Sequence, residues 1–219
     1  MPLPTSAVRG RALVVERIRS RAVPEEITLR PVTAGDLDLF EREFSGPEGT
    51  GEYQWFGFGS PAGLRRQFAE NGLLGPDGGV LAVAEAGRTV GRVEWFAGTW
   101  GRPATSTCWT LGIGLVPAVR GRGIGTLAQR LLAGYLFDHT RAERLQAWTD
   151  FANLAEQRAL EKAGFVREGV LRSAQWRGGR WHDQVIFSML RAERPGGRPA
   201  RARDGTGPAP PIRRPRHGS

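Results

Sequence analysis

The sequence predicts a single α/β domain over residues 27–193, and three observations support this fold class. Runs of β-prone apolar residues alternate with segments that have helical apolar spacing. Glycines and other turn residues separate most of these runs. The 219 residues are 40% hydrophobic, which is enough apolar content for one core. The predicted order of elements is β, α, α, β, β, β, α, β, α, β, β.

The first half of the domain contains four predicted strands and two predicted helices. Residues 27–32, ITLRPV, form the first strand, and Thr33 caps the helix AGDLDLFEREF, which has Asp36 in its first turn. The second helix is LRRQFAENG. The next three strands are GVLAVAEAG, RTVGRVEWFAG and TCWTLGIGLVP. A hairpin turn is predicted at Gly87 and Arg88, between the first two of these strands.

The second half of the domain supplies two further helices and three further strands. The segment LAQRLLAGYLF has apolar residues at helical spacing. ERLQAWTD predicts a strand, and NLAEQRALEKAGF predicts a helix that ends at Gly164. The segment VREGVLRSAQWRGGRWHDQVIFSML predicts two final strands around a turn at residues 178–179.

Positive charge is concentrated in the two ends of the chain rather than in the domain. The formal net charge is +9. Residues 194–219 hold seven arginines and one aspartate, residues 1–26 carry a net +2, and the domain carries a net +1. This distribution does not favour nucleic-acid binding by the domain. The Pro-, Gly- and Arg-rich tail 194–219 is predicted to be disordered, either as a tether for an acidic partner or RNA, or as a solvated extension.

The remaining composition indicates a cytoplasmic protein. Cys108 is the only cysteine, so the chain has no internal disulfide and no cysteine-based zinc site, and no metal is expected. No apolar run approaches the ~20 residues that a membrane span needs. The N-terminal extension 1–26 is a poor secretory signal, because arginines flank a very short apolar patch. The oligomeric state stays open, and a homodimer is one option.

The segment PAVRGRGIGTLAQRLL, residues 117–132, predicts an anion site between a strand and a helix. Glycines let the backbone approach a ligand, and the amides at a helix N-terminus favour anions. Arg120 and Arg122 add charge suited to phosphate. The glycine spacing does not fit the G-x-G-x-x-G pattern, and the loop has no lysine for a Walker pattern. The loop therefore favours the phosphates of a small molecule.

Four blocks of the sequence resemble the GNAT acetyltransferase superfamily in their order and spacing. R-x-x-G-x-G, from Arg120 to Gly125, is similar to the family's loop for the pyrophosphate of acetyl-CoA. NLAEQRALEKAGF resembles the family's N-x-x-S-x-x-x-x-E-K-x-G-F block. TLRPVTAGDLDLF and residues 177–184 are similar to the branch that acetylates ribosomal-protein N-termini, the RimJ/RimL type. The resemblance runs from about residue 27 to residue 191.

The resemblance implies a GNAT-type domain with a mixed, mostly antiparallel central sheet, splayed after its fourth strand, and helices on both faces. The residues implied to line the pantetheine arm of acetyl-CoA are Ile113, Gly114 and Leu115. Those implied to hold its phosphates are Arg120, Gly121, Arg122, Gly123, Ile124, Gly125 and Thr126. Asn153 would contact the coenzyme from the other side of the splay, and it also suits a helix N-cap. Arg158 and Lys162 could lie near the adenosine, although a solvated helix face explains both.

The implied chemistry is direct attack of a neutral amine on the thioester, which requires that a proton leave the amine. The sequence departs from the family at Thr110, Glu156 and Leu160, where the family's glutamate, serine and tyrosine would fall. No consensus acid is in place, so transfer through water is an alternative.

Two residues are candidates for the base. Glu94 alternates with apolar neighbours on its strand and so faces away from them, which places it either at the site or in solvent. His182 is a second candidate, because histidine titrates near neutral pH. Asp183, beside it, is expected to bond loop amides instead.

An aromatic stretch, Tyr53, Trp55, Phe56 and Phe58, lies where the family forms its acceptor wall. These side chains would either clamp a cationic amine or plug the core under a loop. The sequence therefore predicts an acetyl-CoA-dependent N-acetyltransferase for a primary amine of a small molecule, such as an antibiotic or amino-acid derivative, or for a protein N-terminus. The alternatives are a catalytically silent acyl-CoA-binding module and a nucleic-acid-binding protein that uses the Arg-rich ends.

Overall fold

The computed structural model describes residues 26–194, and these form an eight-stranded, mixed and mostly antiparallel sheet with helices on both faces. The strands are β1 (Ile27–Pro31), β2 (Leu74–Gly75), β3 (Gly78–Glu85), β4 (Arg88–Thr99), β5 (Thr107–Leu115), β6 (Arg144–Asp150), β7 (Val166–Arg177) and β8 (Arg180–Leu190). The helices are α1 (Ala34–Phe44), α2 (Pro47–Thr50), α3 (Ala62–Asn71), α4 (Pro103–Ser106), α5 (Ile124–His139) and α6 (Leu154–Ala163). Apart from Glu26 and Arg194, the predicted extension 1–26 and tail 194–219 lie outside the described residues.

The sheet runs in the order β1-β3-β4-β5-β6-β8-β7, with β2 paired to β3. Alternate residues of β3 enter two different cores, because successive side chains of a strand point to opposite faces. Leu81 and Val83 pack with α5 and α6, whereas Val80 and Ala82 pack with α1 and α3. No helix in the described part of the chain is long and apolar enough to cross a bilayer.

The start of α1 is fixed by the capping residue that the sequence predicts. The Asp36 carboxylate accepts hydrogen bonds from the Thr33 amide at 2.7 Å and from its hydroxyl at 2.8 Å. The Arg30 guanidinium of β1 pairs with the same carboxylate at 2.7 Å and holds its pKa well below the usual range. The cluster anchors α1 against the edge of the sheet.

The structure corrects the predicted elements at short segments. The four-residue helices α2 and α4 and the two-residue strand β2 were not predicted. The β3–β4 turn is at Ala86 and Gly87, one residue earlier than predicted, because Glu85 pairs with Arg88 across the hairpin. Both turn residues have positive φ, 46° and 79°, as a two-residue hairpin requires. The predicted turn at residues 178–179 is confirmed.

Candidate active site

β5 and β6 are neighbours in the sheet, but they separate soon after they meet. These parallel strands pair only at Trp109 with Leu145 and at Thr110 with Gln146. The remainder of β5 is paired with β4 alone. Within the described chain, the other edge of residues 111–115 therefore has no strand partner. This is the splay that the sequence predicts, and it opens a cleft in the sheet.

A cleft of about 580 Å³ occupies the splay, which is a usual size for a small-molecule site. Nine of the eleven predicted coenzyme residues line it: Ile113, Gly114, Leu115, Arg120, Gly121, Gly123, Gly125, Thr126 and Asn153. Residues 50–54, from the end of α2 onward, and one face of α6 up to Lys162 supply the other walls. The open edge of β5 thus lies along a groove that ends at the glycine loop.

The glycine loop, residues 120–125, has the backbone geometry of an anion-binding site. Gly121 and Gly123 have φ of 75° and 86°, in the left-handed region that glycine adopts at least cost. Gly123 is also the N-cap of α5. The backbone amides of residues 124–126 then start the helix without partners four residues earlier, and the helix dipole makes this end positive. The loop therefore offers donors and positive potential to a phosphate at the cleft.

Arg120 lines the cleft and ties its two walls together. Its Nε donates to the Leu115 carbonyl at 3.0 Å, and its Nη2 donates to the Gly49 carbonyl of α2. Burial lowers the pKa of the guanidinium, which has no carboxylate partner among the described residues. Its charge is therefore available to an anion in the cleft.

Two of the predicted coenzyme residues do not line the cleft. Arg122 pairs with the buried Glu85 of β3, with distances of 2.7 and 3.1 Å in a two-pronged ion pair. Its charge is therefore already balanced. The Ile124 side chain is 1% exposed and belongs to the core beneath α5. Only the backbone of these two residues is free to contribute to a phosphate site.

Arg158 and Lys162 of α6 line the cleft, although the sequence favours a solvated face for both. They are four residues apart, so they share one face of the helix. Both are exposed as well as cleft-lining. The two interpretations are compatible, and the positive charge of the site comes from α6 as well as from the loop.

Asn153 is both an N-cap and a cleft residue. Its Oδ1 accepts the Glu156 amide at 3.3 Å, and its Nδ2 donates to the Thr149 hydroxyl at 3.0 Å. The cap fixes the start of α6 at the end of β6. The same residue lines the cleft across from β5, where the resemblance places it.

Sequence reasoning missed Glu156 as a site residue. It lines the cleft from the first turn of α6, and its Oε1 accepts a hydrogen bond from Gln129 Nε2 of α5 at 2.8 Å. Part of the residue is accessible through the cleft, but protein surrounds most of its carboxyl group. This burial raises its pKa to about 7, against a smaller lowering by the Gln129 hydrogen bond. The available signal was the missing family serine at this position.

Glu94 lies on the opposite face of the sheet from α5. Its neighbours Val93 and Trp95 enter the α5-side core, so the alternation that the sequence predicts is confirmed. A Cβ placed on Gly112 of β5 would lie 2.9 Å from the Glu94 carboxylate, so this carboxylate covers the unsubstituted glycine. Its side chain is 42% exposed, and Arg92 Nε lies 3.8 Å away. Glu94 is thus solvent-accessible and beside the open strand.

His182 belongs to an ionic cluster at the end of β6. Its Nδ1 lies 3.3 Å from the Asp150 carboxylate and 3.2 Å from Arg177, and its Nε2 lies 3.1 Å from the Arg177 carbonyl. Burial raises the pKa of Asp150, but the Ala152 amide and the Arg177 guanidinium outweigh it and hold the pKa low. Both ring nitrogens of His182 are engaged, and its side chain does not line the cleft.

Asp183 accepts the Ser173 amide at 2.8 Å, which confirms that it bonds loop amides. Ser173 has a positive φ of 48° in the irregular part of β7, which this hydrogen bond stabilises.

The aromatic stretch is divided between the cleft and the surface. Tyr53 lines the cleft, and the Arg177 guanidinium lies 5.6 Å from its ring centre. Trp55 and Phe58 form an edge-to-face pair with ring centres 5.0 Å apart. Phe56 and Phe58 are 55% and 89% exposed, so the core-plug interpretation is wrong for these two. Trp55, Phe56 and Phe58 do not line the cleft. They form an aromatic surface that follows Gln54, the last cleft-lining residue of this segment, and this surface is called the aromatic rim.

Comparison with known proteins finds a matching domain family and related sequences. The domain model described as "Acetyltransferase (GNAT) domain" matches residues 26–166. A Bacillus subtilis protein described as "Probable N-acetyltransferase YjcK" is 34% identical over 110 residues. This match covers 50% of the present chain and 59% of that relative.

Solved structures share the fold. Spermidine N-acetyltransferase from Vibrio cholerae, in complex with CoA and spermine, has a TM-score of 0.64 at 20% identity, and the match covers 76% of this chain and 96% of that one. RimJ from Mycobacterium smegmatis, in complex with CoA-disulfide, has a TM-score of 0.61 at 19% identity, with coverage of 75% and 81%. These identities show the fold alone, so the RimJ/RimL-type branch stays a prediction. The domain match over most of the described residues shows that this chain belongs to the acetyltransferase (GNAT) family.

Proposed function

We propose that this protein transfers the acetyl group of acetyl-CoA to a primary amine. The acceptor is an amine of a small molecule, such as an antibiotic or amino-acid derivative, or a protein N-terminus. The observation that carries this proposal is the cleft between β5 and β6, which joins an open strand edge to a glycine loop at a helix N-terminus. A long thioester with a phosphorylated end matches both parts.

The residues of the cleft fit acetyl-CoA in chemistry and in order. The free backbone groups of residues 113–115 suit the amides of the pantetheine arm, in the way one strand pairs with another. The first-turn amides of α5 and the Arg120 guanidinium suit the pyrophosphate. Arg158 and Lys162 add charge for the remaining phosphate. When bound, acetyl-CoA supplies an activated acyl group.

Glu94 is proposed as the base that accepts the proton of the attacking amine. It lies beside Gly112, on the face of the sheet opposite α5, where an acceptor can reach the open strand. Its carboxylate also attracts a cationic amine before deprotonation. A backbone amide of β5 stabilises the negative charge that develops on the carbonyl oxygen.

Tyr53 and the aromatic rim at Trp55, Phe56 and Phe58 are proposed to contact the acceptor. Exposed aromatic faces bind cations and apolar groups alike. The substrate of one structural neighbour supports an amine, because the Vibrio cholerae protein is a spermidine N-acetyltransferase crystallised with spermine.

Thiol release from acetyl-CoA tests this function against a panel of peptide N-termini, amino acids, polyamines and aminoglycosides. Release that depends on one class of amine, with acetylated product seen by mass spectrometry, is the expected result. Silence across the panel together with CoA binding supports the alternative of a catalytically silent acyl-CoA-binding module. Silence without CoA binding contradicts the assignment of the glycine loop.

A further inference from the structure

Glu156 is a carboxyl group held inside the coenzyme cleft. Asn153 Oδ1 accepts its backbone amide at 3.3 Å, which fixes the residue in the first turn of α6. Gln129 Nε2 of α5 donates to its Oε1 at 2.8 Å, which fixes the side chain. Its second oxygen, Oε2, has no hydrogen-bond partner within the described residues. One oxygen is thus tethered, and the other is left to carry or lose a proton.

The surroundings of Glu156 favour its neutral form. Its side chain is bonded to no cation in residues 26–194, and burial raises its pKa to about 7. The charged groups that line the same cleft are Glu52, Arg120, Arg158 and Lys162. None of them is hydrogen-bonded to Glu156. A negative charge at this position is therefore costly.

The side-chain oxygen of Gln129, the hydrogen-bond partner of Glu156, also favours a neutral Glu156. Gln129 is 3% exposed, and its Oε1 is a buried acceptor with no hydrogen-bond donor among the described residues. Buried acceptors of this kind are rare and need a donor. The Glu156 carboxyl is already the hydrogen-bond partner of the same amide group. A carboxylic acid that faces a primary amide can both accept from its NH₂ and donate to its oxygen. An ionised Glu156 cannot donate.

We propose that Glu156 is the acid that gives its proton to the departing thiol of the coenzyme. This inference rests on the proposed acetyl transfer. In that reaction, the amine nitrogen bonds to the carbonyl carbon and loses a proton to Glu94. The carbon–sulfur bond then breaks, and the sulfur takes the carboxyl proton of Glu156. Glu156 regains a proton from solvent and Glu94 loses one to solvent, so that the overall reaction consumes and releases no proton beyond those of amine and thiol.

The two carboxyl groups suit opposite roles because their environments differ. Glu94 is open to solvent, and Arg92 Nε lies 3.8 Å from its carboxylate. Glu156 is enclosed, which favours the acid. A group that titrates near neutral pH can protonate a thiolate of ordinary pKa, about 8.5, without an uphill step. Pairs of carboxyls separated in this way divide acid and base duties in other enzymes.

Infrared difference spectroscopy tests the protonation of Glu156 without any turnover. The spectrum of the unmodified protein minus that of Glu156→Gln should show the carbonyl band of a neutral carboxyl at pH 6. The band should disappear above pH 8. CoA affinity, measured by calorimetry, should be the same in both proteins. Absence of the band at pH 6 overturns the inference, whatever the activity.

A comparison of acyl donors tests the proton transfer itself. Glu156→Gln should release thiol from acetyl-CoA about 100-fold more slowly, which is the usual contribution of a general acid. With p-nitrophenyl acetate and the same amine, the rate should be unchanged, because this leaving group needs no proton. Glu161→Gln, on the exposed side of α6, is the matched control and should behave as the unmodified protein with both donors. Equal loss with both donors indicates a structural role and overturns the inference.

The unmodified protein alone provides a second measurement if Glu156→Gln does not fold. The rate with acetyl-CoA is divided by the rate with p-nitrophenyl acetate, so that the deprotonation of the amine, which both donors require, cancels. This ratio should fall as pH rises through about 7, and a ratio independent of pH contradicts the inference. If no amine causes thiol release, the proposed acetyl transfer itself is contradicted. Normal release that Glu156→Gln leaves unchanged overturns the role of Glu156 alone.

Discussion

Replacement of Glu156 by glutamine should make the protein more stable at alkaline pH and change its stability little at acidic pH. The carboxyl has a pKa of about 7 in the folded chain, against an ordinary value of 4.5. The folded state therefore binds this proton more tightly than the unfolded state. Its stabilising effect is complete below pH 4.5 and is lost as pH rises to about 7. Glutamine cannot ionise, so it removes this loss.

The size of the effect follows from the shift in pKa. A difference of about 2.5 units corresponds to at most about 3 kcal/mol above pH 7. Because the residue is partly accessible through the cleft, we expect about 1–2 kcal/mol, or roughly 2–8 °C in melting temperature for a chain of this size.

Urea and thermal unfolding at pH 5 and pH 8.5 measure this difference. Glu161→Gln, from the exposed face of the same helix, controls for the loss of one negative charge. The free energy of unfolding of Glu156→Gln minus that of the unmodified protein should be larger at pH 8.5 than at pH 5. A difference that is the same at both values, or that Glu161→Gln reproduces, would refute the assignment of a raised pKa to this carboxyl.

Three further variants separate binding, stability and rate. Joint replacement of Arg158 and Lys162 by alanine should weaken acetyl-CoA binding about 10-fold at low salt and less at high salt, since exposed charges each contribute ~1 kcal/mol or less; equal affinity in calorimetry would remove them from the site. Arg122→Met should lower the free energy of unfolding by about 2 kcal/mol, because it leaves the buried Glu85 unpaired, yet it should barely change coenzyme affinity; the reverse pattern would contradict the structural role. Glu94→Gln should lower turnover about 100-fold without changing coenzyme affinity, and an unchanged rate across pH would exclude it as the base.

The fold could be predicted because its long elements carry strong patterns. The period-2 alternation of β3 and β4 and the capping residues of α1 and α6 are local features of the sequence. The elements that were missed, α2, α4 and β2, have two to four residues each and show no period. The one-residue error at Gly87 came from reading the turn by composition, whereas the pairing of Glu85 with Arg88 sets it.

The candidate site was predicted where backbone conformation defines it and was missed where tertiary contacts do. The glycines of the loop could be predicted to line the cleft, because their positive φ and the N-cap at Gly123 are local features of the sequence. Arg122 instead meets Glu85, 37 residues away along the chain, and no local pattern indicates that pair. Glu156 likewise gains its raised pKa only from the packing of α6 against α5. The roles of Arg122 and Glu156 therefore depend on the burial and the hydrogen-bond partners of their side chains, and not on residue type alone.

Titration calorimetry with acetyl-CoA is the measurement that decides whether the cleft between β5 and β6 is a coenzyme site. We expect one molecule bound per chain, with an affinity that falls with added salt and falls further in the Arg158 and Lys162 double variant. Heat of binding that neither salt nor these substitutions alter would place the coenzyme elsewhere. No binding at all would contradict the assignment of the glycine loop and, with it, the proposed acetyl transfer.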